Sequence, residues 1–413
     1  MGLDKIESKL TKSFFPREFK QYKRNLSDVE IALIRNALEK VNALEKCDYF
    51  TFCKTVICVS LDYLGQYPEL EYFAAEIAYE IRRLDDLEFI VRVSNNPYVL
   101  LPLAKGLIAK NSLGRAAANI RIVESKIKPD DLVYQLELYL VKSYYAVANG
   151  NLTDALFHIL AAKEFLRSSE NELDIIQANT FDAQILVDEC KILFEMGRYD
   201  KVFDNVNEGL TLAKKIGNRP LTVLFEIFYG MYLIDYKSSL DEGNQHHYIA
   251  ASIARKLRNP YLIAITLETI GNNLQLQRKI EEGIKFCKHA ERLYKKIGDE
   301  QNRMIIAIKI ANLQIAFGNV SSAMSILLDL ETLGSKNPLT YLNLVYAFIK
   351  IDDLDLAETY LEKAKKHLRG RGDLTGEFLL IYYEGLIEFQ SGNFGKAEML
   401  FAHAQEFAEL NKL

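Results

Sequence analysis

The chain has 413 residues, 49% hydrophobic and 26% charged, with a net charge of -5, 8 prolines and no tryptophan. That balance describes ordinary folded material with little sign of disorder; the net acidity argues against a general nucleic-acid binder, which carries a basic stripe, and scarce proline suits a chain dominated by helices. Five cysteines (Cys47, Cys53, Cys58, Cys190, Cys287) form no CxxC pair and have no histidine at metal spacing, so reduced thiols in a cytoplasmic protein are expected, with no metal and no cofactor.

In chain order, residues 1–25 come first, with seven Lys/Arg (Lys5, Lys9, Lys12, Arg17, Lys20, Lys23, Arg24) against Asp4, Glu7 and Glu18, a local balance of +4. The opening MGLDKIESKLTK is charged and lacks an apolar core, so no secretion signal is expected. Ser27-x-x-Glu30 is a capping box that opens a helix to about Glu45. Asp48 opens another to about Leu64, and a helix pair follows at about 69–83 and 86–94. Residues 1–97 thus read as an N-terminal helical region, either a separate bundle or eroded repeats.

From residue 98 to 413 one unit recurs: an apolar helix, a short polar turn, then a helix with small and apolar residues at spacings of three and four. Its second helices show Leu113, Ala116, Ile120, Val123 in a weak copy, then Leu152, Ala155, Ile159, Ala162, then Tyr199, Val202, Val206, Gly209. An irregular unit follows, with Gly230 in its first helix and Ala250 or Ala251 as the small site of its second. The pattern resumes at Ile280, Gly283, Cys287, Ala290, at Val320, Ala323, Leu327, Leu330, at Leu354, Ala357, Leu361, Ala364, and at Phe394, Ala397, Phe401, Ala404. Steps between the small residues are 39 (Ala116 to Ala155), 40 (Gly283 to Ala323), 34 (Ala323 to Ala357) and 40 (Ala357 to Ala397). Antiparallel helices pack closely only where a small residue meets the crossing, and Gly230, Gly271, Ala311 and Gly385 supply it in the first helices. Each pair leaves an apolar face that only the next pair covers, so stability is shared along the array.

The pattern resembles tetratricopeptide (TPR) repeats in the variant of about 40 residues found in kinesin light chains and bacterial signal-sensing regulators. The signature of that variant appears as Leu-Ala-Lys-Lys-Ile-Gly-Asn at 212–218 and Leu-Tyr-Lys-Lys-Ile-Gly-Asp at 293–299, with a degenerate Ala-Arg-Lys-Leu-Arg-Asn-Pro at 254–260. The resemblance covers roughly 98–411 and departs from the family in lacking its usual tryptophan. It implies an all-α fold, a right-handed α-solenoid of about seven TPR-like helix pairs with an N-terminal helical bundle. The overall layout is similar to bacterial Rap and AimR-type intracellular peptide receptors.

Enzymatic motifs are missing. Gly392-Asn393-Phe394-Gly395-Lys396 has the wrong spacing for a phosphate loop and reads as an inter-helix turn. Arg371-Gly372-Asp373 reads as a helix-ending loop, and the basic run Lys363, Lys365, Lys366, Arg369, Arg371 as cations at a helix C-terminus. His246-His247 reads as a loop or surface pair. Asp85-Asp86, Asp130-Asp131 and Asp352-Asp353 read as turn or helix-start residues. No catalytic residue is expected. The longest apolar helix candidate, Phe378 to Phe389, is interrupted by Glu384 and Glu388, so no membrane span is expected.

In the resembled family the first helices line the concave surface. Asn272 and Asn312 then hold the same register on neighbouring first helices and Asn343 a nearby one, a ladder of amides able to pair with a peptide backbone. Glu268, Gln275, Lys309 and Tyr346 fall on adjacent inward positions, and Asp188 and Lys191 on the matching register upstream. The expected function is a non-enzymatic protein- or peptide-binding module, with a peptide-sensing regulator of transcription or of a response regulator as the alternative. The expected partner is a protein or short peptide. A homodimer through the C-terminal helices is suggested by Met399, Leu400, Phe401 and Phe407, while DNA finds no support in the net charge.

Overall fold

The computed structural model describes residues 68–169, 173, 175–369 and 373–411, with isolated positions at 32, 53, 57, 58, 60 and 61. The basic residues of 1–25, the Ser27 capping box, Cys47 and the Arg371-Gly372 dipeptide lie outside the described residues. Among the described residues the chain is a succession of helices: α1 (Pro68–Glu80), α2 (Leu84–Val93), α3 (Leu100–Ala109), α4 (Leu113–Glu124), α5 (Leu132–Asn149), α6 (Leu152–Ser168), α7 (Ile175–Glu195), α8 (Val202–Ile216) and α9 (Arg219–Asp235). They continue as α10 (Leu240–Leu257), α11 (Pro260–Leu276), α12 (Ile280–Ile297), α13 (Glu300–Ala316), α14 (Val320–Thr332), α15 (Pro338–Lys350), α16 (Leu354–Leu368), α17 (Leu374–Gln390) and α18 (Phe394–Asn411). From α3 onward they form eight hairpins that stack side by side as an α-solenoid. The sequence suggested about seven; both the weak copy at 113–123 and the irregular unit at 219–257 fold as complete pairs.

The repeated signature encodes the joint between hairpins. Gly217 and Gly298 close α8 and α12 at φ 70 and 71, a left-handed conformation that glycine adopts without strain. The next residue caps the following helix: Asn218 accepts from the Leu221 amide at 3.1 Å, and Asp299 from the Asn302 amide at 3.1 Å. In the degenerate copy Arg258 takes the left-handed position at φ 50, and Asn259 caps α11 through the Tyr261 and Leu262 amides at 3.0 and 3.3 Å. The acidic pairs behave as helix starts: Asp85 and Asp86 lie in the first turn of α2, and Asp353 caps α16.

Small residues set the crossings as the sequence suggests. A Cβ on Gly271 would sit 2.5 Å from the Cys287 sulfur, and one on Gly283 would sit 2.7 Å from the Gly271 carbonyl oxygen. A Cβ on Gly385 would sit 2.7 Å from the Phe401 ring. The irregular unit corrects one expectation. Gly230 is crossed by Gly243, whose carbonyl oxygen is 2.7 Å from a Cβ placed there. Ala250 and Ala251 are buried elsewhere along α10, Ala250 in the cluster that includes α1 and Ala251 beside Ile270 and Leu274 of α11.

The array bends far enough for distant repeats to meet. Hairpin α1–α2 packs on α3. A single apolar cluster joins these helices to Val223 and Ile227 of α9, Ala250, Ala254 and Leu257 of α10, and Leu262 of α11. Helix α3 also touches α13. The trailing hairpins α15–α18 pack mainly on their neighbours, in a cluster that ends in α17, and reach back only at the start of α17, where Thr375 meets Tyr199 of the α7–α8 connection. No described helix is long and apolar enough to cross a membrane.

Candidate functional site

The bend encloses a cavity of about 1130 Å³ walled by α3, α5, α7, α9, α11 and α13, with the α1–α2 turn at one side and the α14–α15 turn and Asp373 and Thr375 at the start of α17 at its far end. The cavity belongs to the first helices of successive hairpins, so its wall is set by the one face that stacking leaves uncovered.

Its polar groups form three clusters. In the first, Lys105 of α3 pairs with Glu137 of α5, with side chains only 9% and 1% exposed. In the second, the Tyr144 hydroxyl lies 2.9 and 3.0 Å from the two Asp188 carboxylate oxygens and donates to that group. The Gln184 amide donates to Tyr144 and to Asp188, each at 3.2 Å. Burial pushes the Asp188 carboxyl up to about 6, against the opposing pull of Gln184, Tyr144, Lys191 and Lys105. Burial works against the Lys191 charge, but Glu195, Tyr261 and Asp188 hold its pKa above the ordinary value. In the third cluster, Glu268 pairs with Lys309 and accepts from the Tyr294 hydroxyl at 3.0 Å. Nearby Asp235 is pushed up to about 6 by desolvation, with Lys309 opposing.

A fourth arrangement comes from outside the repeats. Arg82, at the α1–α2 turn, slides its guanidinium between the Tyr79 and Tyr261 rings, 4.3 and 4.2 Å from their centroids. Its Nε lies 3.4 Å from an Asp299 carboxylate oxygen, and both side chains are nearly fully buried.

Of the residues singled out in the sequence, Glu268, Asn272, Gln275 and Lys309 line the cavity, as do Asp188 and Lys191. Asn272 is half-buried, and its amide has no hydrogen bond among the described residues. Asn312 is exposed and lies outside the cavity wall. Asn343 is 9% exposed within α15, and Tyr346 stacks on Tyr383 with centroids 5.6 Å apart; neither reaches the cavity. The structure therefore does not bring the three asparagines together.

The histidine pair is also corrected. Both histidines sit within α10, not in a loop, and face different ways. His246 Nδ1 is 2.7 Å from Glu226 and half-buried, whereas His247 is 1% exposed. His247 Nε2 lies 3.1 Å from the Ile227 carbonyl oxygen, and its Nδ1 accepts from Asn273. Burial lowers its pKa to about 4, against the raising effect of the Ile227 bond. Among the described residues no group of three or more His, Cys, Asp or Glu side chains is placed to hold a metal.

Sequence reasoning missed Lys105, Glu137, Tyr144, Tyr79, Arg82 and Asp299. A signal existed for the first two: Lys105 is the lone charge in LLPLAKGLIA and Glu137 the lone charge in LVYQLELYLV. A single charge in an apolar helix calls for a buried partner.

This geometry defines a class, the TPR-type α-solenoid with a helical region leading into a concave groove. No family model matches the chain, and no curated protein does. Among solved structures the fold is similar to that of a Rap protein complexed with competence and sporulation factor, at TM-score 0.61 and 14% identity, covering 86% of this chain and 98% of that one. It is also similar to the Rap conjugation gene regulator of plasmid pLS20 in complex with the Phr* peptide, at TM-score 0.55 and 11% identity, covering 83% and 94%. The APC/C hetero-tetramer Cut9-Hcn1 matches at TM-score 0.58 and 13% identity, covering 98% of this chain and 76% of that one. The chain thus has a TPR-like fold with a layout like that of Rap proteins; at these identities the likeness speaks for the fold alone.

Proposed function

We propose that the protein is a non-enzymatic binding module that holds a protein segment or short peptide in its concave groove. The observation that carries this reading is the 1130 Å³ cavity, whose wall presents Asn272 and Gln275 as amides with no side-chain hydrogen bond among the described residues. A side-chain amide offers one donor group and one acceptor, the complement of a peptide backbone. The paired charges Glu268–Lys309 and the carboxylate of Asp235 then read the ligand's side chains or ends. Asn312, exposed on the next first helix, extends the contact beyond the cavity; Asn343 and Tyr346 belong to it only if α15 rearranges. Two proteins of similar fold are a Rap protein with competence and sporulation factor and a Rap regulator with the Phr* peptide.

The finer reading is a cytoplasmic peptide-sensing regulator of transcription or of a response regulator, in which residues 1–97 act as a region distinct from the array at 98–413. What favours it is the α1–α2 turn, which enters the groove and thereby links groove occupancy to the leading region. A homodimer through α17–α18 fits the exposure of Phe389, Phe394, Met399 and Leu410 at the end of the stack.

The test is selection of a random peptide library on the full chain, followed by calorimetry of the selected peptide. Asn272→Ala is expected to weaken binding about tenfold, the loss of roughly one backbone hydrogen bond, and Asn312→Ala less. Unchanged affinity in Asn272→Ala would remove the amide reading, and a library that yields no binder would remove the groove reading.

A further inference from the structure

We infer that Arg82 is a clasp that pins the α1–α2 hairpin inside the groove against α11 and the α12–α13 joint, so that the groove opens to a long segment only when Arg82 lets go. The inference rests on the groove being the binding site and assigns it a means of regulation.

Arg82 reaches three parts of the array at once. Its guanidinium is sandwiched by Tyr79 of its own hairpin and Tyr261 at the start of α11. Its Nε faces Asp299, and its Nη1 donates to the Tyr79 carbonyl oxygen at 3.0 Å. Flat cations stack well between aromatic faces, and such contacts strengthen when water is excluded. Asp299 serves two ends, because the carboxylate that meets Arg82 also caps α13 and accepts from the Asn302 side-chain amide at 2.9 Å. It lies directly after Gly298, the left-handed joint of the repeat, so the clasp holds a place where consecutive hairpins pivot.

Arg82 holds the left-handed position that follows α1, at φ 59, as Arg258 and Arg278 do at later turns of the array. Arg82, Tyr79, Glu76 and Glu80 all line the cavity, so the hairpin occupies space that a bound segment would otherwise use.

Hydrogen exchange and small-angle scattering on the full chain, with no peptide present, test this directly. In Arg82→Ala, exchange in α1–α2 and the first turn of α13 is expected to speed up about tenfold, with α17–α18 unchanged and a larger radius of gyration. Millimolar methylguanidinium chloride should slow that exchange again, whereas equal tetramethylammonium chloride should not. Should Arg82→Ala fail to fold, Asp299→Asn serves instead, since asparagine caps a helix as well as aspartate while removing the charge that faces Arg82; the same acceleration in α1–α2 is expected. Unchanged exchange in α1–α2, or an unchanged radius of gyration, would overturn the clasp. Because no peptide enters the measurement, failure of the groove to select a ligand would leave this result untouched.

Discussion

The leading and trailing parts of the array are built from the same hairpin but stabilised differently. From α1 to α13 the stack curves until distant repeats meet, and the meeting surface carries charge: Lys105–Glu137, Tyr144–Asp188, Glu268–Lys309 and Arg82–Asp299 all sit in or beside one cavity. From α15 to α18 the hairpins pack mainly on their neighbours, with Thr375 at the start of α17 reaching Tyr199 across the coil, and ion pairs such as Lys363–Glu331 stand at the surface with side chains 43% and 25% exposed. A repeat therefore fixes how one hairpin packs on the next, while the charges it carries decide where the coil meets itself.

The largest expected effect falls in the leading part. Lys105→Met strands the fully buried Glu137 carboxylate without its counter-ion and should cost about 3 kcal/mol or more in urea unfolding. Gly283→Ala comes next. Its new methyl would meet the Gly271 carbonyl oxygen at 2.7 Å, a backbone atom that cannot rotate away, so a loss of about 2 kcal/mol is expected.

The pH dependence separates two buried groups with opposite signs. Asp188 binds its proton more tightly in the fold, at about 6 against 3.8, so it supports the fold fully below pH 4 and withdraws that support as the pH rises to 6. His247 is held neutral, at about 4 against 6.5, so its support is complete above 6.5 and lost as the pH falls toward 4. The two slopes oppose each other in the native protein. In Asp188→Asn one of the carboxyls that oppose the histidine slope is gone, Asp235 remaining at about 6, and stability between pH 6.5 and 4 should fall more steeply than in wild type, by on the order of 1–2 kcal/mol. Thermal melts across that range decide it; parallel curves for the two proteins would refute the assignment. The smallest effect belongs to the trailing part, where Lys363→Ala should change stability by under about 1 kcal/mol because water already screens the pair.

The hairpins were legible because their causes are local. Ala116, Gly283 and Ala357 mark crossings, and Gly217-Asn218 and Gly298-Asp299 mark joints, all within a few residues of the contacts they make. The irregular unit was read one step off, because Gly243 and Ala250 are both small and only the crossing angle chooses between them. The cavity was half legible. Register along α11 and α13 puts Glu268, Asn272, Gln275 and Lys309 on the cavity wall, whereas Asn312 stands exposed beyond it and Asn343 and Tyr346 pack within the α15–α17 region. Arg82 and Asp299 were not legible together at all, because their contact depends on the summed rotation of every intervening hairpin.

The central claim is that the concave side of the leading array is where a partner segment sits. Hydrogen exchange of the full chain with and without a library-selected peptide tests it most directly. Slower exchange in α7, α9, α11 and α13, with α12, α14 and α16 unaltered, is the predicted result. Slowing confined to the second helices on the outer face would contradict it.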